Sequence, residues 1–245
     1  MNERFFDLKK ARQDQIINGA MRIFAENGYK HASTDEMVAA AGISKGLLFH
    51  YFKSKKGTWL FLYEYCTRYM LLELREADRR QGCDFFEMYR QLVRVDAAVL
   101  KKYPWLPLFL KRADEEAEKI KLAADLPDGL LRETARHRDA LLQEAGRPPF
   151  LSDEDIATLE QMLEYTRFGL LRELLKKEDD AAGQAHVSSS SKVSSAASAP
   201  AVFSASSAAA DSLAAASSPA APKPLYEAYA QQLSEYIRTL RKMNR

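Results

Sequence analysis

Residues 33–55 read STDEMVAAAGISKGLLFHYFKSK. Ser33-Thr34-Asp35-Glu36 is a capping-box pattern that opens a short helix. Met37, Val38 and Ala41 form its apolar side, and Gly42 ends it. Ser44 can cap the next helix, from Lys45 to Phe52. Two short helices joined at Gly42-Ile43-Ser44 are the physical core of a helix-turn-helix, because the tight turn needs backbone angles that glycine permits. In the second helix, Ile43, Leu48 and Phe52 can face inward, while Lys45, Gly46, His50 and Tyr51 are polar or small. A recognition helix needs that split, with one side anchored and the other offered to the major groove of DNA. Gly46 removes a side chain where backbone could approach DNA. Ser33, Thr34, Tyr51 and Lys55 could meet phosphates, helped by the N-terminus of the preceding helix.

Upstream, Ile16, Ala20, Ile23 and Phe24 fall at helical spacing, with Gly28 as the stop. Downstream of Lys53-Ser54-Lys55-Lys56 a long helix places Trp59, Leu62, Tyr63, Cys66, Met70 and Leu74 on one face. The pattern then repeats without strands. Helices are expected over Phe85–Tyr103 and Leu108–Leu122, with Pro104 and Pro107 as breaks between them. Another is expected from Pro127 to about Gly146, and a long one from a cap at Ser152 to about Lys177. The apolar face of that long helix is wide, which suggests burial on two sides. Residues 181–222 differ in kind: 29 of the 42 are Ala or Ser, so they read as a mostly disordered linker. Leu225, Tyr229, Leu233, Tyr236, Ile237 and Leu240 mark a final amphipathic helix.

The totals agree with an all-α chain that works in the cytosol. At 47% hydrophobic residues the 245-residue chain can bury a sizeable core, yet it has no apolar run long enough for a membrane span. The charged segment Met1–Lys10 has no apolar signal-peptide core. Cys66 and Cys83 make neither a disulfide framework nor a metal site, and His31, His137 and His186 have no carboxylate or cysteine at ligand spacing. No cofactor is implied. Glycine-rich phosphate loops, nucleophile elbows and His-Glu-x-x-His spacings are missing, so an enzyme is not the expected class. Ten Lys/Arg against six Asp/Glu give residues 1–60 a charge of +4, while the rest carries −2. A mildly basic head on a mildly acidic body fits nucleic-acid contact through the head, and equally fits ordinary scatter.

The stretch Ala39–Lys55, the preceding IFAENGY (Ile23–Tyr29) and the Ser33-Thr34 start resemble the signature of the tetracycline-repressor (TetR) family over roughly residues 8–60. The resemblance implies a three-helix DNA-binding domain over residues 1–56, with the helix-turn-helix core at 33–52. It implies a helical ligand-sensing and dimerisation domain over 57–180, then the linker, then a dimerisation helix at 223–245. It implies a homodimer built from about Ser152–Lys177 and Leu225–Met243, bound to a palindromic operator. The positions that match family DNA contacts are Ser33, Thr34, Ser44, Lys45, Gly46, Leu47, Phe49, Tyr51 and Lys55. His50 is either a phosphate contact or a packing histidine. Leu47 stands where threonine is frequent and Phe49 where tyrosine is frequent, which removes two hydroxyls; Leu47 could still pack on a thymine methyl. Behind the head, Tyr103, Trp105, Phe109, Tyr165 and Arg167 are either lining for a small apolar or amphipathic effector or plain core and surface. The expected function is a cytoplasmic transcriptional repressor released by its effector. The alternatives are an activator of the same family and a helical adaptor that has lost DNA binding.

Overall fold

The computed structural model describes residues 3–78, 82–190 and 223–243, and among them the secondary structure is helical. Among the described residues nine α-helices run in the order α1 (Lys10–His31), α2 (Thr34–Ala41), α3 (Lys45–Phe52), α4 (Lys55–Asp78), α5 (Phe85–Leu100), α6 (Leu106–Glu116), α7 (Glu133–Glu144), α8 (Asp153–Ser190) and α9 (Leu225–Met243). Short 3-10 turns lie at Glu3–Phe5 and Ala123–Asp125.

Helices α1 to α3 and the start of α4 form a small head. Ile16, Ile17, Ala20, Met21 and Phe24 of α1 meet Met37 and Ala41 of α2 and Leu48 and Phe52 of α3 in one buried cluster. The N-terminal 3-10 turn closes the cluster from below. Phe5 is fully buried, with ring centroids 5.6 Å from Tyr51, 5.1 Å from Phe52 and 5.2 Å from Phe61. Gln13 fixes this turn by donating to the carbonyls of Phe6 (3.0 Å) and Leu8 (2.8 Å).

The body is a helical bundle in which α5 packs against α9, α8 against α9, and α4 against α5 and α7. On α5, Phe85, Met88, Leu92, Val95 and Val99 supply the buried stripe. On α9 it is Leu225, Tyr229, Leu233, Ile237 and Leu240, at spacings of three and four that put them on one side. Helix α6 reaches back from the body to pack on α1.

Several boundaries differ from the sequence reading. Helix α5 stops at Leu100, short of Tyr103. Pro107 does not break a helix: it lies in the first turn of α6, where its missing N–H has no partner to lose. Helix α6 ends at Glu116 instead of Leu122, and α7 starts at Glu133 instead of Pro127, after Arg132 in a left-handed conformation (φ 59°). The division at residue 56 falls inside α4, which is one continuous helix from head to body. The linker expected from residue 181 does not begin there. Helix α8 continues to Ser190, since Ala181, Ala182 and Ala185 carry a high intrinsic helix propensity. The rest of that expected linker, 191–222, lies outside the described residues.

Candidate nucleic-acid interface and cavity

The helix-turn-helix is built by its caps. Ser33 accepts from the Asp35 amide (3.2 Å) at the start of α2, and Ser44 from the Leu47 amide (3.2 Å) at the start of α3. Between them Gly42 takes φ 61°, ψ 36°, which L side chains rarely adopt. Arg12 of α1 donates to the Gly42 carbonyl (2.6 Å), tying the turn to the helix behind it.

This construction sorts the residues of α3. Leu48, Tyr51 and Phe52 are buried, Leu47 and Phe49 are half-buried, and Ser44, Lys45, Gly46 and His50 are exposed. A Cβ at Gly46 would meet only the Ser44 hydroxyl, 4.0 Å away, so the backbone there faces open space. Lys45 pairs with Asp35 of α2 at 2.9 Å, and both groups are exposed. Lys55 donates to the Lys30 carbonyl (3.2 Å) and lies 5.0 Å from the centre of the Tyr29 ring. Partial burial lowers its pKa. Ser33 and Thr34 are half-buried at the start of α2. Of the expected contact residues, Tyr51 departs most from its reading, being only 6% exposed with its ring against Phe5. It holds α3 from behind, because the N-terminal turn supplies an aromatic partner that the local pattern did not reveal.

Helix α6 joins head to body. Arg112 donates to the carbonyls of Ala25 (2.9 Å) and Glu26 (2.7 Å), where α1 kinks at Gly28 (φ 69°). Glu116 takes the Tyr29 amide (2.9 Å) on one carboxylate oxygen and Arg112 (3.1 Å) on the other. A Cβ at Gly28 would stand 2.4 Å from that carboxylate, so glycine permits both the kink and the close approach.

The other side of α6 lines a cavity of about 270 Å³ between α4, α6, α7 and α8. Met70, Pro107, Leu110, Ala135 and Phe168 give it an apolar wall, and Asp114, Arg138, Glu164 and Arg167 are among its polar residues. Arg138 and Arg167 share one carboxylate. Asp96 of α5 accepts from Arg138 at 2.9 Å, from Arg167 at 2.7 and 3.1 Å, and from the Tyr229 hydroxyl of α9 at 2.9 Å. Burial pushes the Asp96 carboxyl up, but the two guanidinium groups and the hydrogen bonds hold it below the usual carboxylate range. Burial likewise raises the Asp114 carboxyl, although the Tyr63 hydroxyl donates to it.

Of the five residues expected around an effector, Arg167 lines this cavity. Trp105 lines a separate groove of about 550 Å³ between α1, α6 and α8, with Arg22 over its ring at 5.5 Å. Phe109 is core, packed against Phe24 and Trp59. Tyr103 is fully buried and bonds Asp14 and Tyr65, each at 2.6 Å, which ties α1 to α4. Tyr165 stands 70% exposed on α8. Tyr103 and Phe109 thus fasten elements to one another, while Pro107, Leu110 and Asp114 are the α6 residues that line the cavity. The Asp96 network escaped the sequence reading, yet a signal was there: Asp96 falls on the apolar stripe of α5, four residues after Leu92 and three before Val99. Among the described residues no group of His, Cys, Asp or Glu could hold a metal ion, and no helix is long and apolar enough to cross a membrane.

Residues 16–57, the head just described, match the family model of bacterial regulatory proteins of the tetR family. The likeness to that family rests on this head. It is 42% identical over 52 residues to the HTH-type transcriptional repressor Rv1474c of Mycobacterium tuberculosis, covering 21% of this chain and 28% of the relative. It is 27% identical over 143 residues to an uncharacterized HTH-type transcriptional regulator, Rv0472c, of the same species, covering 58% of this chain and 60% of the relative. With the AcnR repressor of Corynebacterium efficiens it shares 28% identity over 167 residues, covering 66% and 81%. The chain therefore spans less than two thirds of the length of the first two relatives. A solved TetR-like transcriptional regulator from Rhodococcus sp. RHA1 superposes at a TM-score of 0.42 and 19% identity, covering 67% of this chain and 82% of that one.

Proposed function

We propose that the protein is a homodimeric transcriptional repressor of the cytoplasm that binds a palindromic DNA operator and is released from it by a small molecule. Its work is binding rather than catalysis. The observation that carries this reading is the surface of α3: an anchored helix with Lys45, Gly46 and His50 exposed in a row and open space at the Gly46 backbone. Lys55 and the N-terminus of α2, with Ser33 and Thr34, flank that surface and supply the phosphate contacts that set register. Release follows from α6. One side of this helix borders the cavity, and the other holds α1 and Tyr29 through Arg112 and Glu116. A ligand that prefers a different setting of α6 shifts the spacing of the two heads, by no more than its differential affinity for the two states.

The test is selection of DNA fragments from a random pool by the purified protein. The expected result is enrichment of a palindromic sequence, bound by the wild-type protein and discriminated less well by Lys45→Ala. Failure to enrich any sequence from a folded dimer, with salt-dependent but indiscriminate binding, would favour an adaptor that has lost DNA reading.

A further inference from the structure

The face offered to DNA carries an acid. Lys45, the first residue of α3, sets its ammonium against both carboxylate oxygens of Asp35 on α2, at 2.9 and 3.1 Å. The two side chains are 49% and 72% exposed. An ion pair so open to water adds little to stability, so it is cheap to open toward a third group. The neighbouring acid, Glu36, turns the other way and accepts from Asn27 of α1 at 3.3 Å. Residues 43–56, from the turn through α3 and beyond, hold Lys45, Lys53, Lys55 and Lys56 and no acid. Affinity for DNA comes mostly from its phosphates, and a carboxylate on that face opposes it. As the second residue of α2, Asp35 also suits the positive end of a helix. That role needs no contact with Lys45, and it places the charge where it costs DNA affinity.

We propose that Asp35 is a specificity-determining residue: with Lys45 it reads one G·C base pair in each half-site, Lys45 donating to guanine O6 and N7 and Asp35 accepting from the cytosine N4 amino group. This deepens the reading of the chain as an operator-binding protein and rests on it. The major-groove edge of a G·C pair presents two acceptors and then a donor, which an ammonium beside a carboxylate complements. An A·T pair puts its donor between two acceptors and gives the ammonium no adjacent pair of acceptors. Thymine in place of cytosine offers no donor, so Asp35 would be left desolvated and unpaired among phosphates. Discrimination then comes from a penalty on wrong sequences as much as from attraction to the right one. The placement supports this. Residues at the N-terminus of a recognition helix are those that meet base edges, Ser44 caps that end of α3, and Gly46 leaves open space beside Lys45. Before DNA arrives, Asp35 holds the long Lys45 side chain in place, so less freedom is lost on binding.

The experiment compares full-length wild type, Lys45→Ala, Asp35→Ala and the double variant. Selection from a random pool gives the operator and the position at which Lys45→Ala relaxes the preference. Each base pair is then placed at that position, symmetrically in both half-sites, and titrated. Wild type should favour G·C by roughly 10-fold or more. Asp35→Ala should reduce this to about 3-fold or less, while binding DNA that lacks the operator at least as tightly as wild type does. Lys45→Ala alone leaves a bare carboxylate facing the groove, so adding Asp35→Ala to it should restore affinity by roughly 3- to 10-fold. A carboxylate that only serves the start of α2 predicts no such recovery, and this separates the two roles. Asp35→Asn keeps the size of the side chain and should relax the G·C preference likewise; it decides the matter should the alanine variant fail to fold. Undiminished discrimination without the carboxylate, no position relaxed by Lys45→Ala, an A·T preference there, or a double variant that binds no better than Lys45→Ala would each overturn the proposal and leave the DNA-binding reading standing. A folded wild-type protein that enriches no sequence would overturn both.

Discussion

A methyl group added at Gly19 would stand 2.6 Å from the Ala41 amide nitrogen and 2.7 Å from its Cα. These neighbours are backbone, so α1 and α2 would have to separate. Gly19→Ala is therefore expected to destabilise the protein by about 1–3 kcal/mol, as overpacking does, even though alanine favours helix. Urea unfolding checks this, and a variant as stable as wild type would refute the close approach. Lys55 serves two ends at this scale. It holds the Lys30 carbonyl and it flanks the face of α3. Lys55→Ala should weaken binding to all DNA sequences alike and lower the salt slope by about one unit, as loss of a single phosphate contact does. Titration at several salt concentrations reads both effects. An unchanged slope would mean that this lysine is structural only.

Five buried hydrogen bonds converge on the carboxylate of Asp96 and draw together α5, α7, α8 and α9. Removing its charge leaves two buried guanidinium groups without their anion, so Asp96→Asn should cost about 3–5 kcal/mol at neutral pH. The sign with pH follows from its lowered folded-state pKa. The contribution is fully present above the unfolded-state value of about 3.9 and is lost as pH falls through the folded value. Unfolding from pH 7 to pH 3 should thus show the gap between wild type and variant closing only below about pH 4; a gap that is constant with pH would contradict the assignment. The helices themselves were legible from periodicity and caps, and α2, α3 and α9 stand where Ser33, Gly42, Ser44 and Leu225 indicate. The inward partners were not. Nothing local tells that Tyr51 meets Phe5, or that Arg138, Arg167 and Tyr229, far apart in the chain, converge on Asp96. Such contacts depend on how helices are stacked, which a pattern read one helix at a time does not contain.

The proposed palindromic operator requires two heads acting together. Met162 and Tyr165 stand 44% and 70% exposed on α8, one turn apart, and mark the outward side of the α8–α9 pair. Placing charge there, as in the double variant Met162→Asp with Tyr165→Asp, should give a folded monomer by light scattering, with operator affinity at least about 100-fold lower. A variant that stays dimeric would move the interface elsewhere. In the proposed complex, paired α3 helices read one operator from one side of the DNA. Hydroxyl-radical protection of the selected operator tests it most directly. The expected result is two protected half-sites related by a two-fold axis, with centres about 34–36 Å or a multiple of one helical turn apart, and weaker protection of both, relative to flanking DNA, on Lys45→Ala. Uniform protection along the fragment, or a single unpaired site unaffected by that substitution, would contradict it.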